Sequence, residues 1–150
     1  MQKLKLYLDC CCFSRPFDDF SQDKIRLEGE AIMTIVNNCE KGVWDIFESD
    51  ILDDEFSRMT DLVNKQKVLE LYSSTTIYVE INDEIINRAK AFHELNIKPF
   101  DALHLASAEY AKADIFLTTD KRFINRAAKS DAKIKISNPA IWLTEVLFFD

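Results

Sequence analysis

Carboxylates are the most abundant side chains in this sequence that could take part in chemistry. The 150 residues include 26 Asp and Glu against 19 Lys and Arg, a net charge of −7. Four of the acids, Asp9, Glu55, Asp101 and Asp120, come from distant segments of the chain. Clustered carboxylates repel one another, and hard divalent cations such as Mg²⁺ and Mn²⁺, which prefer oxygen ligands, relieve that repulsion. Because such an ion activates water and stabilises charge on a phosphodiester oxygen, this chemistry would be metal-assisted phosphodiester hydrolysis.

The small numbers of glycines and histidines exclude several other kinds of site. With Gly29 and Gly42 as the only glycines, no dinucleotide-binding loop, Walker A loop or nucleophile elbow can be written. Two histidines, His93 and His104, cannot make a three-histidine zinc site. Three of the four cysteines are consecutive and fit no zinc spacing, so we interpret the protein as reduced and cytoplasmic.

Alternating strand-like and helix-like segments indicate how the acids are brought together. Periodicity predicts strands at residues 4–9, 43–48, 76–79, 115–118 and 132–136. It predicts helices at 22–39, 49–60, 62–72, 82–94, 100–111 and 121–128 and a C-terminal helix from 138, with Ser21 as the first N-cap and 15–19 as a loop. This alternation implies a single α/β domain over residues 1–150, with a mostly parallel sheet covered by helices on both faces.

Parallel sheets bind ligands beyond the carboxyl ends of their strands, and the four acids are placed to meet there. Asp9 ends the first strand, and Asp120 follows the strand at 115–118. Asp101 lies in the first turn of its helix, and Glu55 lies on the helix after the second strand. Each acid also has a plain structural explanation, such as a helix cap for Asp120 or a favourable helix-dipole position for Asp101. Taken together, the four positions favour a shared acidic site.

The segments around these acids resemble the PIN domains, and in particular the VapC-type toxin ribonucleases. The matching stretches are LYLDCCCFSRPFDD, SDILDDEFSRM and PFDALHLASAEYAKADIFLTTDKRF, and the resemblance extends over essentially the whole chain. It implies a three-layer α/β/α sandwich with a five-stranded parallel sheet. It implies that Asp9, Glu55, Asp101 and Asp120 are the catalytic acids and hold Mg²⁺ or Mn²⁺ for endonucleolytic cleavage of RNA. It also implies a homodimer and an antitoxin protein encoded next door.

The second acid is ambiguous, because Asp53, Asp54 and Glu55 are adjacent. Neighbouring residues on a helix do not share a face, so we expect only one of them to point toward the site. We choose Glu55, because the family's glutamate falls there and an apolar stripe runs beside it. That stripe consists of Leu52, Phe56 and Met59.

Three further residues are candidate neighbours of the acids. Thr118 and His104 lie close to Asp120 and Asp101 in sequence, and Cys10 stands where the family usually has Ser or Thr. A plain strand threonine, a buried histidine with satisfied hydrogen bonds and a small buried thiol are the alternative interpretations. At the end of the chain, Phe148 and Phe149 are expected in the core, with a dimer interface as the alternative.

The charge pattern leaves a second function open. A net negative charge argues against broad electrostatic binding of nucleic acid, although bound cations reverse the field at an acidic site. Residues 121–135, with six bases and one acid, could guide RNA to the site or form a solvated helix face. The alternative function is a catalytically weak or inactive PIN-fold module that binds RNA or a protein partner.

Two other classes are disfavoured. A phosphatase with an aspartyl nucleophile needs D-x-D-x-T, whereas Asp9 is followed by Cys-Cys-Cys-Phe. The N-terminal MQKLKLYLD lacks the apolar run of a signal peptide, and no apolar run approaches the roughly 18 residues of a membrane span. We therefore expect no membrane segment.

Overall fold

The computed structural model describes residues 3–149 and contains one all-parallel sheet of five strands. The strands are β1 (Lys5–Leu8), β2 (Asp45–Ser49), β3 (Ile77–Val79), β4 (Ile115–Leu117) and β5 (Ile136–Ser137). Their order across the sheet is β3-β2-β1-β4-β5, with β1 in the centre. The predicted five-stranded α/β/α fold is confirmed, and the carboxyl ends of all five strands lie along one edge.

Helices connect the strands and complete the layers on either side of the sheet. They are α1 (Cys10–Ser14), α2 (Asp23–Glu40), α3 (Asp50–Ser57), α4 (Leu62–Tyr72), α5 (Asp83–Glu94), α6 (Pro99–Tyr110), α7 (Lys121–Ala128) and α8 (Pro139–Phe149), with a 3₁₀ turn at Arg15–Phe17. Within residues 3–149, no helix combines the length and apolar character needed to cross a membrane.

Polar side chains define where several helices begin. Ser49, Asn82 and Asp120 each occupy an N-cap position and accept a hydrogen bond from a backbone N–H in the first turn. At the other end of α2, Gly42 adopts a φ of +78°, a left-handed conformation that glycine takes without a steric cost. These local signals explain why most predicted boundaries lie within a few residues of the observed ones.

Four local predictions need correction. Helix α2 is capped at Gln22, because the Ser21 N–H donates to Asp19 and Ser21 lies outside the helix. The predicted loop at 15–19 contains the 3₁₀ turn, and α1 was not predicted at all. The last strand is Ile136–Ser137 and not 132–136, since the N–H groups of Ala132 and Lys133 donate to side chains instead of to the sheet.

Aromatic side chains fill the core on both sides of the sheet. Tyr7 on β1 stacks on Phe116 of β4 with ring centroids 5.2 Å apart, and Trp142 of α8 packs edge-on against Trp44. The prediction that Phe148 and Phe149 lie in the core is wrong, because they are 75% and 83% exposed. Burial of α8 ends at Leu143, after which only Val146 is partly covered.

Candidate active site

The carboxyl edge of the sheet gathers polar residues from β1, β2 and β4. Asp9 directly follows β1, Ser49 ends β2 and caps α3, and Thr118 directly follows β4. Asp101 lies in the first turn of α6, and Asp120 caps α7. The parallel topology thus brings residues more than 100 positions apart in sequence to the same rim.

Asp9 is the most firmly held of the four acids. Its side chain is buried and accepts hydrogen bonds from the Cys10 N–H at 2.8 Å and from the Thr118 hydroxyl at 2.9 Å. The Cys11 thiol donates to the same carboxylate over 3.6 Å. These three donors give the carboxylate oxygens hydrogen-bond partners away from bulk water and fix their orientation.

Glu55 projects from α3 toward Asp9 and contacts His104 on α6. The Glu55 carboxylate is hydrogen-bonded to His104 Nε2, and the same nitrogen lies 3.9 Å from Asp9 Oδ1. One ligand atom from each of Asp9, Glu55 and His104 lies within 4.8 Å of the other two. This distance is short enough for these groups to surround a single cation.

The two neighbours of Glu55 point elsewhere. Asp53 accepts a hydrogen bond of 2.7 Å from the Tyr72 hydroxyl, and Asp54 forms a 3.1 Å ion pair with Arg58 at the surface. Of the three adjacent acids, Glu55 is therefore the one in contact with His104.

Asp101 and Asp120 belong to the same electrostatic environment. The pKa of Asp101 is raised from 3.8 to about 6, first by burial and then by the negative charges of Asp9, Asp120 and Glu55. Asp120 accepts from the N–H groups of Arg122 and Phe123, so its role as a helix cap is also real. The like-charge repulsion felt by Asp101 is what a cation at this rim would relieve.

Cys10 lies within the cluster as a neutral thiol. Burial, followed by the negative charges of Glu55 and Asp9, raises its pKa well above the usual range. A protonated thiol adds no further negative charge next to the acids. It also offers a soft, weak hydrogen-bond donor where a hydroxyl would offer a stronger one.

Two buried residues behind the cluster were not singled out from the sequence. The Tyr7 hydroxyl lies 2.6 Å from His104 Nδ1 and 2.8 Å from Ser49 Oγ. The one available signal was a tyrosine inside a buried strand, because a buried tyrosine hydroxyl usually finds a polar partner.

The donor set at the rim suits a hard divalent cation. Asp9, Glu55, Asp101 and Asp120 offer carboxylate oxygens, the ligand type preferred by Mg²⁺ and Mn²⁺. His104 contributes the only nitrogen of the candidate metal cluster found in residues 3–149, and that nitrogen is already engaged by Glu55.

Comparison with known proteins identifies the family. The sequence model of the PIN domain family matches residues 49–129, more than half of the chain. The chain belongs to the PIN domain family. The matched range includes Glu55, Asp101, His104, Thr118 and Asp120, whereas Asp9 lies before it. A search of curated proteins finds no match to this PIN domain.

Solved structures resemble this PIN domain in fold. VapBC2 from Rickettsia felis, crystallised on a DNA fragment from its promoter, aligns with a TM-score of 0.63 at 14% identity, covering 90% of this chain and 98% of the other. DNA-bound VapBC from Salmonella typhimurium aligns with a TM-score of 0.57 at 16% identity, covering 91% of this chain and 98% of the other. A Pyrobaculum aerophilum protein aligns with a TM-score of 0.53 at 13% identity, covering 96% of this chain and 90% of the other. At these identities the likeness establishes a shared fold.

Proposed function

We propose that this PIN domain is a ribonuclease that hydrolyses RNA phosphodiester bonds with Mg²⁺ or Mn²⁺. The observation that carries the proposal is the convergence of acids from four segments at one rim of the sheet. Burial, and then the negative charges of Asp9, Asp120 and Glu55, raise the pKa of Asp101. Membership of the PIN domain family supports the nuclease assignment.

The proposed metal-binding and catalytic residues are Asp9, Glu55, Asp101 and Asp120. A divalent cation bound there would lower the pKa of a water molecule and stabilise negative charge on a phosphoryl oxygen. The chain itself contributes the orientation of the ligands. Thr118 and the Cys10 N–H hold Asp9, and His104 holds Glu55. No covalent protein nucleophile is required.

Partners follow from the same proposal. Two of the structural relatives were crystallised as VapBC complexes, so we propose that this chain is a toxin that pairs with an antitoxin protein. Exposed apolar residues at the end of α8 support a homodimer; they are Leu147, Phe148 and Phe149. The basic residues of 121–135 support approach of RNA to the rim. The free cysteines are consistent with action in a reducing cytoplasm.

A non-catalytic module that binds RNA or a protein partner is the second candidate. One observation favours it: Cys10, a weak hydrogen-bond donor, replaces the family's hydroxyl residue. This difference would weaken the metal site without changing the fold.

Cleavage of a mixed structured RNA by the purified protein in Mn²⁺ or Mg²⁺, with an EDTA control, tests the proposal. Asp101→Asn is the inactivating variant, and Asp54→Asn is the matched control because Asp54 pairs with Arg58 at the surface. Metal-dependent cleavage that only Asp101→Asn loses supports the nuclease. Thermal stabilisation by Mn²⁺ without cleavage would favour the binding module, and the absence of both effects would contradict the four-acid site.

A further inference from the structure

A continuous line of hydrogen bonds, buried except at its Glu55 end, runs behind the acid cluster. It begins at Ser49, passes through the Tyr7 hydroxyl and the His104 ring, and ends at the Glu55 carboxylate. His104 and Tyr7 are fully buried, and Ser49 is 1% exposed. Ser49 and Glu55 both belong to the α3 region, so the line leaves α3 at its cap and returns to it six residues later.

The chemistry of the end groups gives this line a direction. An ionised carboxylate only accepts, so the hydrogen between Glu55 and His104 belongs to Nε2. A neutral imidazole then accepts at Nδ1, and the Tyr7 hydroxyl donates to it. The Ser49 hydroxyl donates to Tyr7 in turn, while Ser49 Oγ accepts the Leu52 N–H at 3.1 Å. Every group in the line is satisfied with His104 neutral.

The state of Tyr7 agrees with this direction. Burial raises the pKa of Tyr7 well above its ordinary value, so its hydroxyl keeps the proton that it donates. In the other neutral tautomer, two acceptors, His104 Nε2 and the Glu55 carboxylate, would face each other in this contact. An unsatisfied pair of this kind is costly in a protein interior.

We propose that His104 is a positioning residue that, as its neutral Nε2–H tautomer, holds the Glu55 carboxylate at the acid cluster, with Tyr7 and Ser49 selecting that tautomer. His104 acts through Glu55 and takes no place among the metal ligands. The hydrogen bond at one ring nitrogen sets the protonation of the other. The positioning role in metal binding rests on the proposed function. The direction of the hydrogen bonds does not depend on it.

Nitrogen-15 NMR of the metal-free protein tests the direction without any variant of His104. With two histidines in the chain, His93→Gln assigns the remaining ring signals to His104. His93 is exposed on α5, away from the hydrogen-bond line. We expect a protonated Nε2 and an unprotonated Nδ1, and we expect Tyr7→Phe to weaken this preference. A protonated Nδ1, in either the other tautomer or the imidazolium, would overturn the inference.

Two amide substitutions test the positioning role. A glutamine amide nitrogen reaches the place of Nε2 and retains a donor toward Glu55, whereas asparagine reaches only the place of Nδ1. Binding of Mn²⁺ alone, measured from the loss of the free-ion EPR signal, should weaken ~10-fold or more in His104→Asn. It should change by less than about 3-fold in His104→Gln, and His93→Gln serves as the control.

Each outcome separates this inference from the proposed function. Equal loss of Mn²⁺ binding in folded His104→Gln and His104→Asn would make the ring a direct ligand or a packing element, and the positioning role would be wrong. Absence of Mn²⁺ binding by the unaltered protein would contradict the proposed metal site and the positioning role with it. In that case the NMR measurement of the ring tautomer would still test the hydrogen-bond direction. The same measurement tests the direction if neither His104 variant folds.

Discussion

The hydroxyl of Thr118 donates a 2.9 Å hydrogen bond to Asp9 and accepts the N–H of Asp120 at 3.1 Å. Thr118 follows β4 and Asp9 follows the adjacent strand β1, so one buried hydroxyl joins two of the four acids across neighbouring strands. The relationship explains how the rim holds closely spaced carboxylates in fixed positions.

Replacing this hydroxyl should loosen the rim. Thr118→Val retains the volume but leaves a buried carboxylate short of a donor, and we expect a loss of about 1–3 kcal/mol in unfolding free energy. Thr118→Ser retains the hydroxyl and is the matched control. Urea titration of both variants measures the difference. An unchanged unfolding free energy in Thr118→Val would contradict the stabilising role of the hydroxyl.

The three adjacent acids of α3 should separate into distinct phenotypes. Glu55→Gln should abolish metal-dependent RNA cleavage, because Glu55 is the one of the three in contact with His104. Asp53→Asn should lower stability by about 1 kcal/mol with cleavage retained, since its partner is the Tyr72 hydroxyl. Asp54→Asn should change neither property appreciably. Loss of cleavage in Asp53→Asn alone would place the second acid at Asp53.

Asp101 should make the metal-free protein less stable as pH rises. Its pKa in the folded protein, about 6, exceeds the ordinary 3.8, so the fold favours the protonated carboxyl. The resulting cost is absent below pH 4, grows between pH 4 and 6, and is fully present above that range. Asp101→Asn removes the cost, and at pH 7.5 with EDTA it should raise the melting temperature by a few degrees.

The pH dependence of this difference is the decisive measurement. The gain in melting temperature of Asp101→Asn over the unaltered protein should shrink as the pH falls from 7.5 to 4. At pH 7.5, saturating Mn²⁺ should make Asp101→Asn melt at a lower temperature than the unaltered protein. The reason is that the ion stabilises only the protein that binds it. A constant loss of stability at every pH would instead show that Asp101 has a structural role.

A buried ion pair outside the acid cluster should contribute strongly to stability. Glu28 on α2 is 1% exposed, lies 3.2 Å from the Arg15 guanidinium and accepts a 2.6 Å hydrogen bond from Asn138. Glu28→Gln leaves the exposed Asp18 as the remaining counter-charge of Arg15 and should cost about 1–3 kcal/mol in denaturant unfolding. Glu30→Gln breaks an exposed pair with Arg26 and should change the unfolding free energy far less. Equal costs would show that burial of Glu28 adds nothing.

Local signals account for what could be predicted of the fold. Periodicity and caps gave α4 and α7 their observed bounds, because N-caps such as Asp120 act within one turn of helix. Helix α1 carries no such signal, because a run of cysteines has no amphipathic period. Its N-cap is Asp9, which the sequence pattern places at the end of a strand. The exposure of Phe148 and Phe149 depends on where α8 loses contact with the rest of the chain, which composition does not encode.

The sequence by itself determined the alternation of strands and helices and the placement of acids at element ends, because these depend on interactions between near neighbours. The parallel sheet then follows from the handedness of strand–helix–strand connections. Only the tertiary structure decided which of Asp53, Asp54 and Glu55 meets His104, since that depends on the rotation of α3 against α6. It alone showed the line from Ser49 to Glu55, in which Tyr7 and His104 are 97 positions apart. Contacts of this kind form when distant segments pack together, and no local pattern specifies them.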